Sequence, residues 1–282
     1  MARNEALKGG VAVITGAASG IGEGIARSAA ADGMRVVVAD IHEPRAEAVA
    51  ADIRQMGGDA VAVRCDVSVP AELDRLAALV QEKFGDVRLL VNNAGIETIG
   101  ATWELSAERW ERTLSINVNG MIHGVRAFAP RMIAAGKPAF IANLGSVGSF
   151  GTMPMQTAYI VSKHAMLAFS DCLYLEMQLK APHISVSVVF PGPVATRIFT
   201  EANQPTDAGS EAHRRIMEGM LASQGMTGRQ AGRIILDGIA ARQYWVSTHP
   251  DMTDGMAKAR ADYLANRRVP VLTDDMRQLL TH

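Results

Sequence analysis

The sequence predicts a single α/β domain: one doubly wound parallel sheet with helices on both faces. Three observations predict it. Short runs rich in β-branched residues recur along the 282 residues, with helix-length patterns between them. Most of these runs are continuously apolar, as expected for strands covered on both faces. No linker, internal repeat or low-complexity tract breaks the alternation, so no point offers itself as the start of a second domain.

Taken in order, "VAVIT" (11–15) opens the sheet and runs into a glycine-rich turn and a helix near 20–32. "RVVVAD" (35–40) is the second strand, followed by a helix near 43–56. "AVAVRCD" (60–66) and "RLLVNN" (88–93) flank a helix near 70–84. One long helical stretch near 104–135 leads to "AFIANL" (139–144), and another near 156–180 leads to "ISVSVVF" (184–190). Helices near 227–241 and 252–266 enclose the last strand, "YWVST" (244–248). Only 193–226 lacks a clear pattern, and a connection that long reads as an active-site lid. Residues 250–282 read as a C-terminal extension.

Composition narrows the function. At 48% hydrophobic and 20% charged, the chain can build a substantial core. A formal net charge of −1 provides no basic field for nucleic acid or an anionic membrane. The start, "MARNEALKGG", has no apolar h-region, and no run approaches a membrane span, so the expectation is cytoplasmic. Cys65 and Cys172 make no disulfide framework, and the seven histidines show no ligand spacing, so no metal is expected.

The first strand enters "TGAASGIGEGIA". Gly16, Gly20 and Gly22, with Ser19 and Ile21 between them, occupy a strand-to-helix turn. There a dinucleotide pyrophosphate needs close backbone approach and free helix N–H groups. Asp40 ends the second strand, where a carboxylate can accept hydrogen bonds from ribose hydroxyls; a plain cap before the next helix is the competing reading. A 2′-phosphate beside Asp40 at ~4 Å and an effective dielectric of ~20 would cost on the order of 4 kcal/mol per charge pair. NAD is therefore expected over NADP.

In the same order follow Asp66-Val67, "NNAG" (92–95), Asn117, Ser146, "YIVSK" (159–163) and "PGPVAT" (191–196). Together with "TGAASGIG" these closely resemble the short-chain dehydrogenase/reductase family over about residues 8–250. The resemblance implies one Rossmann-type domain with a seven-stranded parallel sheet, often a homotetramer or homodimer. It implies hydride transfer between NAD(P) and an alcohol or ketone. It places Asp66 and Val67 at the adenine, and Asn93, Ala94 and Gly95 on the adenosine side. It places Pro191, Gly192, Val194 and Thr196 at the nicotinamide, and makes Asn117, Ser146, Tyr159 and Lys163 a catalytic tetrad. Tyr159 and Lys163 also hold the cofactor. Asn117 is implied to kink its helix and order a water that relays protons from Lys163. Gly145 stands where many members have a first serine, but Ser146 keeps the 13-residue spacing to Tyr159.

Four residues apart on a helix, Lys163 and Tyr159 share a face. A unit charge at ~4 Å from the phenol supplies about the ~4 kcal/mol needed to lower a tyrosine pKa by ~3 units. The expected chemistry is a general acid/base at Tyr159, with Ser146 binding the substrate oxygen. Between His164 and Leu175 only Asp171 is charged, so that helix should be buried on two sides, one against a second subunit. The lid carries Phe199 and Met217, and the segment before Tyr159 carries Met153 and Met155; these are the expected substrate contacts. Arg197, Arg214 and Arg215 could hold a carboxylate if turned inward. The expected substrate is a bulky hydrophobic secondary alcohol or ketone, a tilt that the resemblance of "YWVSTHPD" to members acting on such alcohols supports. The alternatives are another activity of the family, such as a diol dehydrogenase or an acyl-linked ketoreductase, and a non-catalytic NAD(H)-binding regulator. Enoyl reductases usually place six residues between tyrosine and lysine, and this chain has three. Epimerases are usually longer.

Overall fold

The computed structural model describes residues 5–200 and 207–280, so positions 201–206 of the expected lid and the last two residues of the extension lie outside it. Seven strands form one parallel sheet: β1 (Val11–Thr15), β2 (Arg35–Asp40), β3 (Asp59–Arg64), β4 (Val87–Asn92), β5 (Ala139–Leu144), β6 (Ile184–Phe190) and, after two short strands, β9 (Trp245–Ser247). Their order is β3-β2-β1-β4-β5-β6-β9. The connections turn opposite ways between β1 and β4, which opens a crevice at their carboxyl ends. Among the described residues no helix is long and apolar enough to cross a membrane.

Alternate strand residues supply the two cores. Ile14, Val36, Val38 and Val91 face one side, where α1 (Gly20–Ala31), α2 (Glu43–Gln55) and α8 (Gly228–Ala240) cover them. Val13, Val37, Leu90 and Ile141 face the other, under α3 (Pro70–Phe84), α5 (Gly120–Ala135) and α6 (Thr157–Lys180). The continuous apolar runs follow from this double cover. α1 and α8 meet backbone to backbone: a Cβ on Gly24 would lie 1.8 Å from the Gly228 carbonyl oxygen. Any larger residue there would force the helices apart.

The helix predicted over 104–135 is three pieces: α4 (Ala107–Leu114), a π-helical turn at Ser115–Asn119, and α5. The implied kink is thus a π-bulge, with Asn117 inside it. The described parts of the segment 193–226, residues 193–200 and 207–226, carry more regular structure than the sequence suggests. Val194–Ala195 (β7) pairs in parallel with Met226–Thr227 (β8), tying the two ends of the segment together. Between them α7 (Ala208–Gln224) starts with a reciprocal cap, in which the Ser210 N–H donates to Asp207 and the Asp207 N–H to Ser210. The extension forms α9 (Pro250–Ala265) and α10 (Asp274–Leu280), and the Leu279 carbonyl lies 2.6 Å from Nδ1 of buried His213 in α7.

On α6, Met166, Leu173 and Met177 are buried toward the sheet. Asp171 accepts a hydrogen bond from the Tyr244 hydroxyl. The outer face leaves Leu175 66% and Leu179 76% exposed, with Val161 also exposed.

Candidate active site

Thr15 and Asn93 hold the crevice in shape. The Thr15 hydroxyl accepts from the N–H groups of Asn93 and Ala94, and Asn93 Nδ2 donates to the carbonyls of Thr15 and Gly16. Gly16 has φ +63°, and a Cβ there would lie 2.8 Å from Ala94 Cα, so a side chain is excluded twice over. No side chain caps α1 at Ser19, which leaves its first N–H groups open to the crevice.

One cavity of about 780 Å³ runs from this turn to the lid. Of the expected cofactor residues, all but Gly22 line it: Gly16, Ser19, Gly20, Ile21, Asp40, Asp66, Val67, Asn93, Ala94, Gly95, Tyr159, Lys163, Pro191, Gly192, Val194 and Thr196. Gly22 sits behind the turn, where a Cβ would lie 2.4 Å from the Gly16 carbonyl oxygen. Its part is to let α1 approach the turn. Asp40 both caps and faces the cavity: its two oxygens accept from the N–H groups of Ala18 and His42 at 3.0 and 2.9 Å.

Deeper in, Ser146 begins a short 3-10 turn (Val147–Ser149) just beyond β5. Its oxygen accepts from the Gly148 N–H at 3.0 Å, so its own proton is available to give. It lies close enough to the Tyr159 hydroxyl to oppose the rise of the phenol pKa. Lys163, 5% exposed, donates to the Leu144 carbonyl at 2.9 Å and lies 5.3 Å from the centre of the Tyr159 ring.

One expectation needs correcting. The sequence predicts that Lys163 lowers the Tyr159 pKa. In the structure burial pushes it up, with the charge of Glu97 adding and Ser146 opposing. The ammonium lies against the ring face and a carbonyl rather than at the phenol oxygen. Burial also lowers the Lys163 pKa to about 8, against the pull of Glu97. Asn117 sits in the implied kink, and its side chain does not line the cavity. Its Oδ1 accepts from the Ile96 N–H at 2.8 Å, while its Nδ2 donates to the Ile96 carbonyl and the Ser162 hydroxyl. The side chain is a clamp on the strand end after β4.

That clamp positions a residue the sequence reading missed. Glu97 is 1% exposed and lines the cavity with Tyr159 and Lys163. Burial raises its pKa well above the usual carboxyl range, with the Thr98 N–H and the Lys163 charge opposing. The only sequence signal is a carboxylate two residues past "NNAG", between an isoleucine and a threonine.

At the lid end Met153, Phe199 and Met217 line the cavity as expected. Met155 does not. Its backbone has φ +67° and its side chain packs with Ile99, Phe199 and Leu221 beneath the lid. Met252 and Met256 of α9 and Leu279 of α10 line the cavity instead. Arg214 and Arg215 do not turn inward to meet a substrate; both hold Glu211, and Arg214 also holds Glu218. Arg197 lines the cavity.

This sheet order and switch-point cavity define a Rossmann-type oxidoreductase fold. The family model for short chain dehydrogenases matches residues 10–207. The chain belongs to the short-chain dehydrogenase family. The probable oxidoreductase EphD of Mycobacterium tuberculosis is 35% identical over 185 residues, 66% of this chain but 31% of that protein. The chain thus spans about a third of that relative's length. The 2,5-dichloro-2,5-cyclohexadiene-1,4-diol dehydrogenase LinX of Sphingobium indicum is 34% identical over 215 residues, covering 76% of this chain and 84% of that one. A short-chain dehydrogenase/reductase from Burkholderia phymatum, solved in complex with NAD, superposes with a TM-score of 0.89 at 32% identity, covering 94% of this chain and 97% of that one. Solved members similar to this chain hold NAD in one case and NADP in another.

Asn117→Ala removes both partners of the Ile96 peptide. Stability should fall by about 1–3 kcal/mol, the usual cost of polar groups left unmet. A lower urea midpoint at unchanged slope checks this, and an unchanged midpoint would show that water replaces the clamp.

Proposed function

We propose that the chain is an NAD-dependent dehydrogenase or reductase acting on secondary alcohols or ketones, bulky and apolar ones above all. The observation that carries this reading is the gathering of Ser146, Tyr159 and buried Lys163 in one cavity with Asp40. The glycine turn and the uncapped start of α1 fit a dinucleotide pyrophosphate, and Asp40 at the outer end fits ribose hydroxyls. When bound, oxidised NAD supplies the hydride acceptor and a positive charge near the phenol.

Tyr159 Oη takes the hydroxyl proton as the carbinol C–H bond gives up its hydride. Ser146 donates its proton to the substrate oxygen and steadies the charge that develops there. Lys163 lies under the Tyr159 ring and is placed to hold the cofactor ribose. Burial and Glu97 hold the phenol protonated, so proton uptake depends on the positive charges gathered around it. The methionines of the lid and α9 can adapt to varied ring shapes. A second reading within the family, a diol dehydrogenase, is favoured by the likeness to LinX. The lid acts as a cover whose two ends are tied at β7 and β8. The exposed apolar face of α6 is covered by a second copy of the chain, giving a homodimer or homotetramer.

Tyr159→Phe should lower turnover at least ~10²-fold while NADH affinity, read by fluorescence titration, stays unchanged. Wild-type turnover in that variant would sink the assignment. Asp40→Ala should shift the NAD:NADP preference in kcat/KM toward NADP by ~5- to 150-fold, roughly 1–3 kcal/mol. A wild-type protein that already uses both equally would reduce Asp40 to a cap. In sedimentation at micromolar concentration the chain should run as a dimer or tetramer; a monomer would overturn the role given to α6.

A further inference from the structure

Glu97 is a buried polar group in this cavity that the proposed chemistry leaves unused. It sits in a short segment held at three of four successive residues. Asn117 clamps the Ile96 peptide, the Thr98 hydroxyl lies 2.6 Å from that of Thr113, and Arg109 donates to the Ile99 carbonyl at 3.1 Å. α4 and the π-bulge therefore fix the position of its backbone. Its Oε1 accepts from the Thr98 N–H at 3.0 Å. Oε2 has no hydrogen-bond partner among the described residues.

Lys163, Tyr159 and Asn117 are already engaged, whereas the Nε2 of Gln156, which also lines the cavity, has no partner among the described residues. Lys163 donates to the Leu144 carbonyl, the Tyr159 hydroxyl has Ser146 beside it, and Asn117 is committed to Ile96 and Ser162. Oε2 is therefore left to meet whatever enters the cavity that Glu97 lines. A fixed, buried and half-satisfied carboxyl beside the proton-transfer residues is arranged for a ligand that brings the missing partner.

We propose that Glu97 reads a second hydroxyl on the substrate, so that the site prefers diols to the corresponding mono-alcohols. This rests on the dehydrogenase reading above and deepens it by naming the substrate class and the residue that selects it. The second hydroxyl lies on the Glu97 side of the cavity and the reacting one between Ser146 and Tyr159. Because burial keeps the carboxyl in its protonated form to higher pH, it can donate as well as accept. Removing the hydroxyl from the substrate, or the carboxyl from the protein, leaves the other partner buried and unmet.

The test compares cyclohexanol with cyclohexane-1,2-, 1,3- and 1,4-diol on the whole chain. Calorimetry in the presence of NADH reads affinity without turnover, and kcat/KM with NAD reads turnover. At least one diol should bind about 10-fold more tightly than cyclohexanol, a neutral hydrogen bond's worth. Glu97→Leu should abolish that preference, and Glu97→Gln, which keeps a donor and an acceptor, should retain most of it. Absence of any diol preference in the wild type overturns the proposal whatever the variants do. Equal losses for diol and mono-alcohol in Glu97→Leu overturn it too, and assign Glu97 to the Tyr159–Lys163 pair instead. A diol preference in binding with no oxidation of any alcohol would support Glu97 as a hydroxyl reader while failing the dehydrogenase reading.

Discussion

β1 and β4 lie side by side, but the connections that leave them diverge, and the working surfaces of the protein occupy the resulting gap. A gap between diverging loops would collapse if nothing spanned it. Thr15 and Asn93 span it with four hydrogen bonds from one strand end to the other. The glycine turn can then follow a positive φ at Gly16 and pass within a methyl's reach of Ala94. α1 starts where that turn ends, and the backbone contact of Gly24 with α8 fixes the angle at which it leaves. The start of α8 then determines where β8 meets β7, and so where the lid begins and ends.

Polar groups crowd the inner end of this gap at a cost. Moving an ammonium out of water costs several kcal/mol unless hydrogen bonds and nearby charge offset it. Lys163 has a carbonyl, an aromatic face and Glu97 to do so, and its pKa still falls to about 8. Tyr159 and Glu97 move the opposite way, each toward its neutral form. All three shifts have one cause: burial disfavours whichever form carries charge. The pair at 159 and 163 is therefore not a self-sufficient base. On the proposed chemistry, charge brought by a bound cofactor would have to complete it, tying proton transfer to occupancy of that crevice.

What was legible in the sequence follows from the physics of each feature. The strands show because double burial writes itself as unbroken apolar runs such as "VAVIT" and "AFIANL". The cofactor turn shows because only glycine satisfies its backbone. α7 was obscured by Gly209, Gly219 and the loop-like composition around Pro205, although Asp207 and Ser210 carry a readable cap. The kink at Asn117 was legible as a polar residue in mid-helix, but the direction its side chain takes through the π-bulge was not. Met155 and Met153 differ by two positions and look alike. A left-handed backbone at Met155 sends its side chain under the lid, and no periodicity predicts that. Glu97 was invisible for a related reason. A carboxylate in a loop is ordinarily solvated, and only the three clamps from α4 and the bulge bury this one.

The two ends of the cavity are built from different materials. The cofactor end is backbone and glycine, with close approaches of 2.4 to 2.8 Å at Gly16 and Gly22 that leave no room for variation. The substrate end is methionine from the lid and α9, with Phe199 and Leu279, side chains that can repack around many shapes. Rigid backbone makes a family legible from short motifs, whereas adaptable side chains do not record what they enclose. Selectivity at such an end has to come from something that cannot adapt. Among the groups facing the Tyr159–Ser146 pair, the buried carboxyl of Glu97 is fixed by its neighbours on both sides in the chain and is costly to leave unmet. On the proposed reading the apolar wall would admit a range of rings, and the single fixed carboxyl would decide how a ring must be turned before its hydroxyl reaches Tyr159.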